Sequence, residues 1–300
     1  MHSLNGNFDD LCAELQRMIL EELVLPDLMS FVDTRTENAA SVSEYMDERH
    51  KMLLQTFVED VKGFNDLLDT TGTVISSSSA LHLFQAKVNA LRLHMDIYVT
   101  HKFEEEVMSY LKATEEYKVK HKSERKTEHD SSAIQKIFKL EKGDKKIDVI
   151  ITDWASAIIP ILQFHSTVVM NYITARTLVS LYPNWMKENR GLVNPCMYLD
   201  NTTNLRTVLA LMKYVNRGFD LSAEPFDLGV HNCDMSRYCP RATRNTIDGD
   251  TLHWDFKKIK TMGETAVACQ NMSVVTWQLG GEDCEEDGDQ QSLTYIGVGA

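Results

Sequence analysis

The sequence predicts an α+β protein that is mainly α, with an N-terminal antiparallel bundle of long helices followed by a smaller mixed α/β region. Two observations support this prediction. Apolar residues recur every three or four positions through most of the first 117 residues, which is the period of an amphipathic helix. β-branched and aromatic residues become frequent after residue 147, which is typical of short strands.

The longest helical pattern covers residues 79–117. At a rise of 1.5 Å per residue, an uninterrupted helix here would be about 60 Å long. A helix of that length cannot bury an apolar stripe alone, so the other predicted helices are expected beside it. Its apolar residues share one helix face: Leu81, Phe84, Val88, Leu91, Met95, Tyr98, Val99, Phe103, Val107 and Leu111.

Two further long helices are predicted before this segment. The first covers residues 8–32, where Pro26 is expected to kink or split it because proline lacks a backbone N–H. The second covers residues 39–68 and is followed by a polar turn at residues 69–73. Short connections between long helices produce antiparallel neighbours, so residues 1–118 are predicted to form an up-down-up helical bundle or coiled coil.

Charged residues dominate the segment 119–146, which is interpreted as a linker and as the domain boundary. A basic docking patch is the alternative interpretation, and interleaved acidic residues such as Glu124 argue against it. A mixed α+β domain is predicted for residues 147–280, and an acidic, disordered tail for residues 281–300. The pattern of residues 147–164 fits both a helix and a buried strand, and a short strand leading into a helix is favoured.

Two elements of the C-terminal domain have clear patterns. Residues 167–182 are rich in β-branched and aromatic side chains and are interrupted near Arg176, which predicts a β-hairpin. A later helix carries Leu205, Leu209 and Met212 at helical spacing and is followed by Gly218, a residue typical of the position just after a helix.

Composition narrows the classes of function. The net charge of −13 argues against a general nucleic-acid-binding protein, because contact with phosphates requires a basic surface, although a local basic patch remains compatible with it. The N-terminus lacks the apolar segment of a secretory signal. The longest apolar run, residues 149–164, is shorter than the roughly 20 residues that span a bilayer. The sequence therefore predicts an intracellular protein, cytoplasmic or nuclear, with reduced cysteines and no membrane partner.

One group of residues in the second half has the composition of a zinc site. Zinc prefers cysteine and histidine ligands, and a structural site needs four of them. The spacing is irregular, because one residue separates His231 from Cys233 and five separate Cys233 from Cys239, against about two to four in known sites. Buried thiols and ordinary histidines are the simpler interpretation. The candidate ligands for zinc, the one cofactor considered, are Cys196, His231, Cys233, Cys239 and His253.

His165 and Ser166, with Asp153 nearby in sequence, raise the question of a Ser/His/Asp site. Adjacent residues of a strand point to opposite faces, and the sequence contains no G-x-S-x-G motif. No catalytic residue is therefore predicted.

Histidines on the predicted helix 79–117 and its neighbour raise a second metal hypothesis. A metal site inside a helical bundle requires Glu-x-x-His pairs on facing helices, and only Asp47 with His50 approximates that pattern. The histidines of both segments, His50, His82, His94 and His101, are interpreted as solvent-facing or hydrogen-bonded side chains.

Several short segments of the second half form a recognisable set: residues 165–167, 170–173, 180–183 and 191–195, and a later group of Cys233, Cys239, Pro240, Arg244, Asp248 and residues 252–254. Through them, residues 160–256 resemble segments found in basidiomycete fungal proteins of unknown function. This resemblance implies a fungal intracellular protein without an assigned reaction, and it transfers no catalytic residue.

Three functions are weighed from these observations. The leading expectation is a non-catalytic intracellular interaction or scaffold protein, whose partner is another protein or a second copy bound through the long helices. The first alternative is a zinc-stabilised module that binds protein or nucleic acid through the Cys/His group. The second is an enzyme of unrecognised type, for which His165, Asp153, His231 and Cys239 would have to meet in one polar pocket.

Overall fold

The centre of the fold is an eight-stranded mixed β-sheet with helices packed against it. The coordinates are a computed structural model, which describes residues 7–85, 94–125, 132–198, 205–229, 233, 236, 238–256, 274–281 and 295–298.

The strands follow one another along the chain as short segments. They are β1 (Val74–Ser76), β2 (His94–Thr100), β3 (Lys118–Glu124), β4 (Ile134–Lys142), β5 (Lys145–Thr152), β6 (Asn171–Ile173), β7 (Thr177–Ser180), β8 (Arg190–Leu192), β9 (Asp220–Ser222), β10 (Arg244–Asn245), β11 (Leu252–Asp255), β12 (Val275–Gln278) and β13 (Tyr295–Val298). The main sheet has the order β11-β7-β6-β1-β2-β5-β4-β3. Its neighbours are antiparallel except for β2 and β5, which run parallel.

The first four described helices precede β1, and the other five lie between strands. They are α1 (Ala13–Glu22), α2 (Leu25–Val32), α3 (Thr36–Phe57), α4 (Val61–Thr71), α5 (Ser78–Phe84), α6 (Glu104–Ala113), α7 (Ile159–Leu162), α8 (Pro183–Lys187) and α9 (Leu205–Val215). None of the helices in these described ranges is long and apolar enough to cross a membrane.

The two faces of the sheet pack against different layers. Met95, Ile97 and Val99 of β2 belong to a large hydrophobic core that includes side chains of α2, α3, α4 and α5. Tyr98 points to the other face because successive side chains alternate along a strand, and it belongs to a second core together with Trp277. We call these the helix face and the opposite face of the sheet.

A buried carboxylate fastens the start of α4 to the end of α6. Glu115 is fully buried, and its two oxygens accept hydrogen bonds from the backbone N–H groups of Glu59 and Asp60 at 2.8 and 2.9 Å. Asp60 in turn caps α4 by accepting a hydrogen bond from the N–H of Gly63 at 2.9 Å. The otherwise unpaired N–H groups at the beginning of this helix are thereby satisfied.

The predicted bundle of long helices is wrong. The range 79–117, predicted as a single helix, contains most of α5, the strand β2 and α6. The cause is that β2 is a central strand with apolar side chains on both faces. Met95, Tyr98 and Val99 therefore satisfy the spacing of a helix as well as that of a buried strand, and periodicity alone cannot separate the two.

The other two predicted long helices are each divided. Residues 8–32 contain α1 and α2, and Pro26 occupies the first turn of α2, where its missing N–H costs no hydrogen bond. Residues 39–68 contain α3, which ends at Phe57, and part of α4. The N-terminal helices pack on the sheet rather than forming a bundle or coiled coil.

The charged segment 119–146 supplies most of β3, all of β4 and the start of β5, so the main sheet extends across the predicted domain boundary. Every residue of β3 is exposed, which allows an edge strand to consist largely of charged side chains. Of the tail predicted as disordered, residues 282–294 lie outside the described ranges, and residues 295–298 form β13.

Several local predictions for the C-terminal half are confirmed. The hairpin in residues 167–182 is formed by β6 and β7, which pair antiparallel. Residues 147–164 begin in β5 and end in the short helix α7. The later helix is α9, and Gly218 follows it with φ +90°, a conformation that glycine adopts readily.

Candidate functional site

A histidine and two aspartates meet on the opposite face of the sheet, at the amino ends of β2 and β5. His94 and Asp96 lie on β2, and Asp148 lies on β5. The potential ligand atoms of these three side chains all lie within 4.8 Å of one another. Among the residues that the structure describes, this is the one such group of three or more His, Cys, Asp or Glu side chains. We call it the His/Asp cluster.

The pairing of β2 with β5 creates the cluster. The two strands run parallel about 4.8 Å apart with Asp96 aligned on Asp148, so both carboxylates project from the same face. His94 precedes Asp96 by two residues and therefore shares that face. The hydrogen-bonded pairing of β2 with β5 fixes the positions of the three side chains more precisely than a loop would.

The imidazole lies between the two carboxylates. His94 Nε2 is 3.4 Å from Asp96 Oδ1 and 3.3 Å from Asp148 Oδ1. The side chains of Asp96 and Asp148 are 23% and 16% exposed, and that of His94 is 43% exposed. The cluster is thus accessible to a small ion from solvent while its carboxylates are partly shielded.

The electrostatics of the cluster reflect this arrangement. The hydrogen bond to Asp148 raises the pKa of His94 above its ordinary value, while burial and the ammonium of Lys139 oppose the rise. Burial raises the pKa of Asp96, and the charge of His94 opposes that change. A cation bound between the two carboxylates would compete with the proton of His94.

A strained residue supports Asp96 from the neighbouring strand. Ser77 follows β1 with φ +61°, an uncommon conformation for a residue other than glycine. Its side chain lowers the pKa of both Asp96 and Tyr98, against the rise that burial causes. Strain of this kind persists only where surrounding structure enforces it, and here it places a polar side chain beside a cluster carboxylate.

Helix α9 brings positive charge to the same region. The ammonium of Lys213 acts electrostatically on both Asp96 and His165. Lys213 and the guanidinium of Arg217 lie 5.1 and 5.3 Å from the ring centre of Tyr214, which is buried. The ring of His165 lies 5.4 Å from the same tyrosine ring.

The structure places the predicted zinc ligands separately from this cluster. Cys196 lies in the short 3-10 helix Pro195–Met197, and Cys239 is buried in a turn. His253 lies on β11 and pairs with Val179. Within the described ranges, Cys196, Cys233, Cys239 and His253 enter no group of three potential ligands within 4.8 Å. His231 lies outside those ranges, so the zinc site stays a prediction.

The residues weighed for a hydrolase are engaged elsewhere. Asp153 forms an ion pair with Arg125 at 2.9 Å. His165 contacts Tyr214, and burial together with Lys213 lowers the pKa of His165 to about 4. Ser166 is fully buried and forms an isolated bridge with Val193.

Asp96 and Asp148 were missed by sequence reasoning, although the sequence contains a signal for them. Residues 95–100 read Met-Asp-Ile-Tyr-Val-Thr, and residues 147–152 read Ile-Asp-Val-Ile-Ile-Thr. Each is an apolar strand with one aspartate in the same position, and the structure aligns the two strands residue by residue. An acidic residue inside an apolar strand is costly to bury. The same costly feature at the same position of two strands is therefore a signal that the two aspartates lie together.

Comparison with protein-family models gives no match for this chain, and none of the curated proteins matches it.

Proposed function

We propose that this chain is a divalent-metal-dependent hydrolase of phosphate esters, with His94, Asp96 and Asp148 as the metal ligands. The observation that supports it is the His/Asp cluster itself: two aspartates in register on adjacent parallel strands, with a histidine between them. One imidazole nitrogen with two carboxylate oxygens is a donor set that suits Mn²⁺ or Zn²⁺. Three protein ligands leave positions open for water and substrate, as catalytic sites require.

The bound metal would polarise the phosphoryl oxygen and lower the pKa of a bound water. The chain supplies the remaining functions. In the metal-free cluster, Asp148 Oδ1 lies 3.3 Å from His94 Nε2 and limits the orientation of the ring, and the Ser77 side chain acts on Asp96. The positive side chains of α9 attract an anionic substrate, and Lys213 is the one whose charge reaches Asp96.

Metal binding provides the first test. We expect isothermal titration calorimetry to show one equivalent of Mn²⁺ or Zn²⁺ bound by the wild type and none by the Asp96→Asn/Asp148→Asn double variant. Asp153→Asn is the matched control, because Asp153 lies just after β5, the strand of Asp148, and forms an ion pair with Arg125. Equal metal binding by the double variant and the control would contradict the proposal.

Activity provides the second test. We expect metal-dependent hydrolysis of bis(p-nitrophenyl) phosphate or p-nitrophenyl phosphate, lost on chelation and restored by Mn²⁺. The double variant should lose on the order of 100-fold or more in rate, since even residues behind metal ligands cost about 10- to 100-fold. Zinc that persists in the double variant and is lost in Cys233→Ser/Cys239→Ser would instead assign the metal to the Cys/His group.

A specific observation favours protein association as a second function. Helix α9 exposes a row of apolar side chains at helical spacing, with Leu205 73% and Leu209 60% exposed; the row is Leu205, Val208, Leu209, Met212 and Val215. Such a row on a surface helix is typical of a binding face. We propose self-association of two copies through α9, in an intracellular protein, cytoplasmic or nuclear. Light scattering should show a dimer that Leu209→Lys converts to a monomer, whereas a wild-type monomer at high concentration would contradict it.

A further inference from the structure

The His/Asp cluster is part of a polar row that continues across the sheet. Asp148 of β5 pairs with Lys139 of β4, and Lys139 pairs with His121 of β3. Register partners in neighbouring strands project from the same face, so Asp96, Asp148, Lys139 and His121 form one line on the opposite face. Strands lie about 4.8 Å apart, which makes the line from Asp148 to His121 roughly 10 Å long.

A second row runs beside the first. His94 pairs with Lys146, Lys146 with Glu141, and Glu141 with Lys118. Lys146 and Glu141 form an ion pair at 3.4 Å across their strands. The two rows together carry three lysines and His121 next to the cluster, with Glu141 as the one acidic residue beyond it. We call this surface the lysine rows.

The local charge departs from that of the whole chain. The chain has a net charge of −13, yet residues 118–146 contain ten lysines and arginines against five acidic residues. Lys139 is exposed, and so is every residue of β3. Of these side chains, Lys118, Lys139 and Lys146 lie on the face of the His/Asp cluster, and Lys146 is paired with Glu141. Lys122, Lys136 and Lys142 are paired with Glu124, Glu104 and Glu59.

Protection of a sheet edge accounts for only part of this pattern. Lysines on an edge strand discourage pairing with other chains, which explains Lys118 of β3. Lys139 and Lys146 lie on β4 and β5, which are paired on both sides and need no such protection. Their position on the face of the cluster requires another explanation.

We propose that the lysine rows bind the phosphodiester backbone of a nucleic acid and lead it to the His/Asp cluster. This inference rests on the proposed hydrolase function and names its substrate class. Lysines bind phosphate as point charges without reading bases, so the binding is independent of sequence and dependent on salt. Three phosphate contacts on a single strand correspond to a slope of about −2 for log K against log salt concentration.

Binding is tested separately from metal chemistry, in EDTA. Binding would be measured by fluorescence anisotropy of labelled 20-nucleotide single-stranded DNA and RNA at salt concentrations between about 50 and 200 mM, a range over which the salt slope can be determined. The Lys118→Glu/Lys139→Glu variant should bind at least about 10-fold more weakly and with a flatter salt slope. The charge-matched control is Lys51→Glu/Lys62→Glu, two exposed lysines on α3 and α4, and we expect it to bind within about 2-fold of the wild type.

The outcomes separate this inference from the function on which it rests. Binding by Asp96→Asn/Asp148→Asn in EDTA at wild-type strength, with lost ester hydrolysis, supports both. Absent oligonucleotide binding by a wild type that hydrolyses the small esters overturns this inference alone. Oligonucleotide binding by a chain that takes up no metal overturns the hydrolase alone. Equal weakening in the two charge-reversal variants, or equal competition by a polyglutamate of the same length, would overturn the assignment to nucleic acid.

Discussion

Strand β2 has two faces with opposite chemistry. Met95, Ile97 and Val99 are fully buried in the helix-face core, whereas His94 and Asp96 lie partly exposed on the opposite face. The first set stabilises the fold by burying apolar surface. The second places a carboxylate directly opposite another on β5, an arrangement that costs stability. Strand β2 thus combines a face that stabilises the fold with a face that carries the proposed metal ligands.

The largest expected effect comes from the apolar face. Ile97→Ala should lower the free energy of unfolding by about 3 kcal/mol, because it removes a fully buried side chain and leaves a cavity in the core. Urea denaturation followed by circular dichroism measures the change. A loss below about 1 kcal/mol would show that the helix face is not tightly packed.

Glu115 tests whether a buried polar group on the helix side has a structural role. Glu115→Gln should lower the free energy of unfolding by about 2 kcal/mol. A neutral amide oxygen accepts a hydrogen bond less well than a carboxylate, and the amide NH₂ would face one of the backbone N–H donors of Glu59 and Asp60. The same denaturation assay applies. Unchanged stability, with ester hydrolysis also unchanged, would mean that the start of α4 is satisfied in another way.

A buried histidine on the helix side of the sheet sharpens the comparison through pH. His50 stacks on Phe256 with ring centres 4.1 Å apart, and burial lowers its pKa to about 4. Below its ordinary pKa of about 6.5, the unfolded chain takes up a proton that the folded chain resists. Stability should therefore fall as the pH drops from about 6.5 towards 4, and less steeply in His50→Phe. Identical pH profiles for the wild type and His50→Phe, measured in urea, would contradict this assignment.

The smallest expected change in stability comes from the opposite face. Asp96→Asn should leave the free energy of unfolding within about 1 kcal/mol of the wild type, because it removes like-charge repulsion together with one ion pair. The same variant should lose metal binding. A destabilisation as large as that of Ile97→Ala would instead assign Asp96 a structural role and break the comparison.

Local elements were predictable from sequence, and the sheet was not. The hairpin β6–β7 and helix α9 carry their own signals, such as the break near Arg176 and the glycine at position 218. Strand β2 carries an ambiguous one, because Tyr98 adds a buried ring to the face opposite Met95 and Val99. The pairing of β2 with β5 joins segments distant in the chain, and no local pattern encodes it. The His/Asp cluster depends on that pairing, so the sequence alone places His94 on a predicted helix, apart from the two aspartates.

The connection between β2 and β5 has a consequence for how the surface beside the His/Asp cluster could change in evolution. The chain leaves β2, passes through α6, β3 and β4, and returns in β5 beside its starting point. Strands β3 and β4, which carry Lys118 and Lys139, therefore lie within the connection between β2 and β5. Changes in its length or charge would leave the pairing of β2 with β5, and with it the His/Asp cluster, in place. If the proposed function holds, the surface that binds the substrate could therefore vary without displacing the metal ligands.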